Sequence, residues 1–206
     1  MSFSDFQSIE QVIRKYPLKV VQQRFLPEVE TELPDWLMEN LKFSLDMKSV
    51  DENEAFFAEN FIYPFLHQAW KQHRRLKVWS HRAISYDKEL FGEPDYLVSA
   101  LADEITNELV TKPLLAVTEA KKEDFTKGWG QCLVELLTCQ KINNNENITI
   151  YGIVSTGIFW EFGKLEGKVF TKHTLPHSVS EPKKVYGILE YIFDECEKTV
   201  TNAKVQ

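Results

Sequence analysis

Glu119 and Lys121 stand two residues apart at the end of the apolar run Pro113-Leu-Leu-Ala-Val117. On a β-strand such residues share a face, so the spacing predicts a carboxylate and an ammonium side by side at a strand end. The spacing alone carries no weight, because Asp46 with Lys48, Glu166 with Lys168 and Glu181 with Lys183 repeat it. Glu119 is set apart by the apolar residues ahead of it and by Pro94-Asp95, which opens a second predicted strand in Gly92-Glu-Pro-Asp-Tyr-Leu-Val98. If the two strands are neighbours, Asp95, Glu119 and Lys121 converge. Carboxylates in that number suit Mg²⁺, a hard cation that takes oxygen ligands and keeps places for water and a phosphate oxygen. Such an ion polarises a phosphoryl group and acidifies a bound water. A lysine beside it holds or deprotonates that water, or offsets charge in the transition state. The plainer reading of the same residues is an ion pair of Glu119 with Lys121 and a turn role for Asp95.

Glu54 is a third acid of interest. In a helix predicted over 53–72 it falls on the apolar stripe with Phe57, Ala58, Phe61 and Phe65, with Glu59 at the margin. A carboxylate in a core-facing row needs a partner. Its place in the first turn offers another explanation, a charge favoured by the helix dipole with its head in water. Gln131 lies in Gly128-Trp-Gly-Gln-Cys-Leu133, near the start of the helix that follows Lys121. Each glycine there weakens the helix by about 1 kcal/mol, so the backbone must approach something closely, a sheet neighbour or a substrate. Gly128-x-Gly130 lacks the third glycine of a dinucleotide fingerprint, and no Walker-type loop occurs. His173-Thr-Leu-Pro-His177 has a metal-like spacing, but Pro176 breaks the helix such a pair would need. Ser155-Thr-Gly157 lacks the context of a nucleophile elbow.

The elements that must hold these residues follow from hydrophobic periodicity. The first fifty residues read as a helical lead-in, through Phe6, Ile9, Val12 and Ile13 and then Trp36, Leu37, Leu41 and Leu45. The helix over 53–72 begins at Asn53, which can cap it, and is apolar nearly all round. Strands are predicted over 76–84, 95–101, 114–119, 148–155, 158–165 and 168–173, with a helix over 124–142 and a last helix after Pro182. The run before Glu119 is apolar on both faces, which places it inside a sheet covered by helices. The class is α/β or α+β, with a mixed sheet flanked by helices behind an N-terminal helical extension. Residues 1–52 form an acidic lead-in packed on the core, and 53–206 the α/β domain.

Among 206 residues, 43% are hydrophobic and 13% aromatic, which excludes intrinsic disorder. Charges interrupt every apolar stretch well before the roughly 18 residues a bilayer span needs, so no membrane partner is expected. The N-terminal decapeptide has two acids and neither a basic nor an apolar region of a secretory signal, which points to the cytoplasm. Three cysteines, without a C-x-x-C pair, read as small core residues. The net charge of −7 is local. Residues 28–59 hold ten acids and two lysines, and the other 174 residues carry 22 bases and 21 acids. The densest basic stretch, Lys71, Arg74, Arg75, Lys77 and Arg82 with His73 and His81, contains no acid and could meet phosphates or simply be a solvated face.

Taken in order, Pro94-Asp95, Glu119-Ala-Lys121 after an apolar strand and Gln131 on the next helix resemble the PD-(D/E)xK superfamily of restriction-endonuclease-like nucleases. Asn53-Glu-Ala-Phe-Phe-Ala-Glu-Asn-Phe-Ile-Tyr-Pro64 is similar to the opening helix of the nuclease domain in type I restriction motor subunits. The run from Glu119 to Cys132, with Tyr151-Gly-Ile-Val-Ser-Thr-Gly157 and Trp160, resembles a group of short cyanobacterial proteins of unassigned function. The resemblance covers roughly residues 53–165. It implies a restriction-endonuclease-like fold and a Mg²⁺- or Mn²⁺-dependent hydrolase acting on nucleic acid, DNA above all. Asp95, Glu119 and Glu54 would be metal ligands, Lys121 the water-handling residue and Gln131 an orienting group. Lys71, Arg74, Arg75, Lys77 and Arg82 would contact nucleic acid. Family analogy also implies a homodimer, since double-strand cutting needs two sites. The rival expectation is a non-catalytic nucleic-acid-binding or interaction module on the same scaffold.

Overall fold

The apolar run ahead of Glu119 becomes β6 (Thr111–Ala120), an inner strand of the sheet. The computed structural model describes residues 2–102 and 109–203. Leu114 and Val117 of β6 join one hydrophobic cluster and Leu115 and Ala116 the other, so the strand is packed on both faces. On one side β6 pairs antiparallel with β5 (Tyr96–Ala100), which pairs antiparallel with β2 (Leu76–Ser80) at the sheet edge. On the other side it pairs parallel with β7 (Ile150–Ser155), and α5 (Phe125–Asn143) makes the crossover. The sheet continues antiparallel through β8 (Phe159–Glu166) and β9 (Val169–Lys172). A short β10 (His177–Ser178) also pairs with β8. The two-residue strands β3 (Ile84–Ser85) and β4 (Phe91–Gly92) form a separate ribbon.

Helices cover both faces. On one lie α5 and α1 (Ile9–Lys15), around Trp129, Leu133 and Leu136. On the other lie α2 (Asp35–Met47), α3 (Glu54–Phe57) with its continuation α4 (Tyr63–Gln72), and α6 (Pro182–Ala203). Asp124 caps α5 by accepting from the Lys127 N–H, and Asn144 ends it in the left-handed region. Asn143 then exchanges two hydrogen bonds, each 2.8 Å, with the Leu114 backbone, tying the helix end to β6. This is a mixed α/β architecture, with a large mixed sheet between helical layers. Among the described residues no helix is long and apolar enough to cross a membrane. All three cysteines are free and buried, as expected of core residues.

Three local differences from the sequence reading have physical causes. The lead-in is not wholly helical. Lys19–Gln22 forms β1, which adds to the sheet edge parallel to β9. The helix over 53–72 runs through a π-helical segment, Ala58–Ile62, where the Tyr63 N–H reaches back to the Ala58 carbonyl. Pro64 follows directly; it has no N–H to give, and its ring crowds the carbonyl four residues back, so the chain widens there. The strand predicted over 76–84 breaks into β2 and β3 at His81, whose φ of 48° turns the chain.

His73, at the end of α4, ties that helix to α6, with Nε2 3.3 Å from Glu190 and Nδ1 3.2 Å from Glu197. Burial alone would lower its pKa, but the two carboxylates together outweigh burial and leave it raised. A raised folded pKa contributes stability that is complete below the unfolded value and fades as pH climbs through the folded one. His73→Leu is therefore expected to cost about 2 kcal/mol at pH 5.5, and less at pH 9. Chemical denaturation at the two pH values measures the difference, and a pH-independent cost would contradict it.

Candidate active site

Asp95 immediately precedes β5, and β5 lies beside β6 in antiparallel register with Tyr96 opposite Thr118. That register carries the Asp95 carboxylate past the end of β6, where its Oδ2 accepts the Ala120 N–H at 2.7 Å. The neighbours in sequence of that amide are Glu119 and Lys121. On the other side the Lys121 N–H donates to the Ser155 carbonyl at the end of β7. Lys121 is thus pinned between two strand ends, and its ammonium donates to Glu119 Oε2 at 2.9 Å and to the Ala120 carbonyl at 2.6 Å. Glu54, in the first turn of α3, brings Oε1 to 3.7 Å from the same nitrogen. Glu54 is exposed rather than core-facing, which fits its first-turn reading, and from the rim of the site it faces the lysine. Glu119 and Lys121 are 2% and 8% exposed.

Helix α5 closes the site from the other face. A Cβ on Gly128 would lie 2.5 Å from Val154 Cγ1 and 3.0 Å from Lys121 Cγ, so the glycine lets the helix sit on the lysine stem. Gly130 instead gives way to the backbone of Phe6 and Ser8. Both close approaches are packing against protein. Glu135, seven residues along from Gly128, is buried beside Glu119, and its Oε2 has no hydrogen-bond partner among the described residues. Gln131 lies between them on the same helical face, and its Oε1 is buried without a hydrogen-bond partner among the described residues.

Four carboxyls therefore surround one ammonium. Burial, with Asp95 adding to it, raises the pKa of Glu119 against the pull of Lys121. Burial and the charge of Glu119 push the pKa of Glu135 well above its ordinary value, which favours the protonated form. Burial would lower the pKa of Lys121, but Glu119, then Asp95 and Glu54, leave it raised. A lysine held in that way stays charged at neutral pH. In that form it suits holding water or offsetting negative charge. Because both buried glutamates have raised pKa values, their stability is complete below the ordinary carboxylate value and is lost as pH rises through the folded ones. Glu135→Gln, which keeps the donor and removes the acid, is expected to melt above the wild type at pH 9 and close to it at pH 5. A thermal scan at both pH values checks this, and equal gaps would refute it.

Glu135 escaped sequence reasoning, although the argument applied to Glu54 applies to it more strongly. It stands among Cys132, Leu133, Leu136 and Leu137 in an apolar helix and four residues after Gln131. The donor set around Lys121 is all oxygen, the chemistry a hard divalent cation takes, and negative charge exceeds positive there. Among the described residues no three His, Cys, Asp or Glu side chains are posed to hold an ion, because Glu119 and Glu54 turn to the ammonium instead. The discounted histidines are used in packing, His173 Nδ1 accepting the Phe25 and Leu26 N–H groups.

The basic residues do not all gather. Lys71, Arg74 and Lys77 line an open groove between α4 and the edge strand β2, and Arg82 lies 5.4 Å from the centre of the Trp79 ring. Arg75 turns away to α6 and donates to Thr201 Oγ1 at 2.6 Å. No protein-family model and no curated protein matches the chain.

Proposed function

We propose that the protein hydrolyses phosphodiester bonds of nucleic acid, DNA foremost, at the site built on Asp95, Glu119 and Lys121, on a restriction-endonuclease-like scaffold. The observation that carries the reading is the convergence of Asp95, Glu119, Lys121 and Glu54, drawn from three separate elements, around one buried ammonium. The unpartnered Gln131 Oε1 is consistent with a ligand that brings its own donor. Mg²⁺ or Mn²⁺, when bound, would supply Lewis acidity and an acidified water. Asp95 and Glu119 would hold such an ion through oxygen, with Glu54 as a further ligand. Lys121 offsets the charge that builds on phosphorus as the water oxygen bonds to it and the ester oxygen leaves with a proton. Glu135 lies beside Glu119 in the buried wall of the site, and Gln131 orients the substrate or the water.

Incubation of plasmid and single-stranded DNA with Mg²⁺ or Mn²⁺ tests the reading. Cleavage is expected from the wild type and none from Asp95→Ala. Divalent cation is expected to raise the melting temperature of the wild type more than that of the variant, because a ligand bound only by the folded state stabilises it. Salt-sensitive DNA binding without cleavage in either metal would favour the non-catalytic module instead.

A further inference from the structure

We infer that the groove between α4 and β2 is a track for single-stranded nucleic acid that leads to Asp95. The inference deepens the hydrolytic reading and rests on it for the chemical identity of the polymer. Three features of the groove carry it. It encloses about 490 Å³ and is lined by His67, Trp70, Lys71, Arg74 and Lys77 among others. Among the described residues, Lys71, Arg74 and Lys77 enter none of the ion pairs of the molecule. Two of these ammonium groups lie over indoles instead. Lys77 Nζ sits 5.0 Å from the Trp70 ring and 5.4 Å from the Trp79 ring, and Lys71 Nζ sits 5.7 Å from the Trp36 ring. Positive charge and indole faces at one place, in a chain of net charge −7, mark a local anion site with a preference for flat rings.

The groove is joined to the candidate active site by a ladder of rings. Trp70 meets His67 edge-on at 6.0 Å, His67 stacks on Tyr63 at 5.4 Å, and Tyr63 stacks on Tyr96 at 5.8 Å. Tyr96 follows Asp95 in the chain. On the strand side, Lys77 lies three residues from Ser80, the partner of Tyr96, a span of about 10 Å. About three nucleotides cover that distance at the duplex rise of about 3.4 Å each, and fewer where the strand is extended.

A single strand suits this surface and a duplex does not. Only unpaired bases expose the faces that stack on aromatic side chains, whereas paired bases offer proteins their edges and phosphates. A base that takes the place of the Lys77 ammonium on Trp70 frees that ammonium for the adjoining phosphate, so ring and cation act as one subsite. Exposed Lys71 and Arg74 then follow the backbone away from the site.

The test is fluorescence anisotropy of fluorescein-labelled dT12 and of a blunt 12-base-pair duplex, in EDTA so that nothing is cut. We expect dT12 to bind at least about tenfold more tightly than the duplex and to quench tryptophan emission. The exposed double variant Lys71→Gln/Arg74→Gln is expected to weaken dT12 at least tenfold and to reduce the slope of log affinity against log salt by about 1.4. Equal or tighter binding of the duplex, an unchanged double variant, or competition by poly-glutamate as effective as by dT12 would overturn the inference. Cleavage is read separately. Tight dT12 binding without hydrolysis in Mg²⁺ or Mn²⁺ sinks the hydrolytic reading and upholds the track, whereas cleavage with duplex-preferring binding does the reverse.

Discussion

Lys121→Met is expected to lower the rate of the proposed DNA cleavage by about 10²- to 10⁴-fold while the protein still melts cooperatively. The side chain keeps most of its length and its contact with Gly128 but loses the charge that sits 2.9 Å from Glu119. Removing one group that stabilises transition-state charge costs roughly two to three orders of magnitude. The fold should tolerate the change for a reason specific to this site. Breaking a buried pair is costly when it strands a charge, yet Glu119 already has a raised pKa and can take up a proton once the ammonium has gone. Steady-state cleavage of a labelled strand, with a melting curve beside it, measures both outcomes. Unchanged cleavage would remove Lys121 from the chemistry, and a variant that fails to fold would show that its role is structural.

The largest expected loss of stability comes from Trp129→Ala, at about 3–5 kcal/mol. Trp129 is fully buried on α5 and fills the space left by Gly152 on β7 and Gly163 on β8. Its Nε1 donates to Glu161 Oε2 at 2.5 Å, and Lys172, which pairs with Glu161 at 2.7 Å, lies over the indole. Truncation opens a cavity and leaves that carboxylate short of a donor. For a chain of this size the cost corresponds to a fall of roughly 10 °C in melting temperature. Trp129→Phe, which keeps much of the bulk, is expected to lose about 1–2 kcal/mol. Calorimetry of both variants separates packing from the hydrogen bond. Because Trp129 seats the helix that carries Gln131 and Glu135, cleavage is expected to fall with stability in the alanine variant.

The sheet was legible wherever burial wrote a pattern. The run around Leu114 and Val117 read as an inner strand because helices cover both its faces, and α5 read as a helix because its apolar stripe spans several turns. β1 left no such mark: its four residues lie on the sheet edge, largely exposed, and Lys19 and Gln22 are compatible with any surface segment. The π-helical widening before Pro64 is a backbone detail that side-chain periodicity does not encode. In the candidate site, Asp95, Glu119 and Lys121 were legible as residues attached to strand ends, and the register that joins them is a property of pairing between distant segments. Glu135 carried a signal in its apolar neighbours Cys132, Leu133, Leu136 and Leu137, but no spacing in the sequence ties it to the strand-end residues. The basic stretch read as a single patch, but its residues straddle the turn from α4 into β2, which sends Arg75 to α6 and Lys71, Arg74 and Lys77 into the groove, while Arg82 lies beyond β2 over Trp79.

The central claim is that Asp95 and Glu119 form an oxygen site for a divalent cation beside Lys121. Diffraction from crystals soaked in Mn²⁺, recorded for its anomalous signal, tests this most directly. The account predicts a peak bonded to both Asp95 and Glu119, with Glu119 turned from the ammonium. The absence of a peak there at saturating Mn²⁺, with Lys121 still bonded to Glu119, would contradict it.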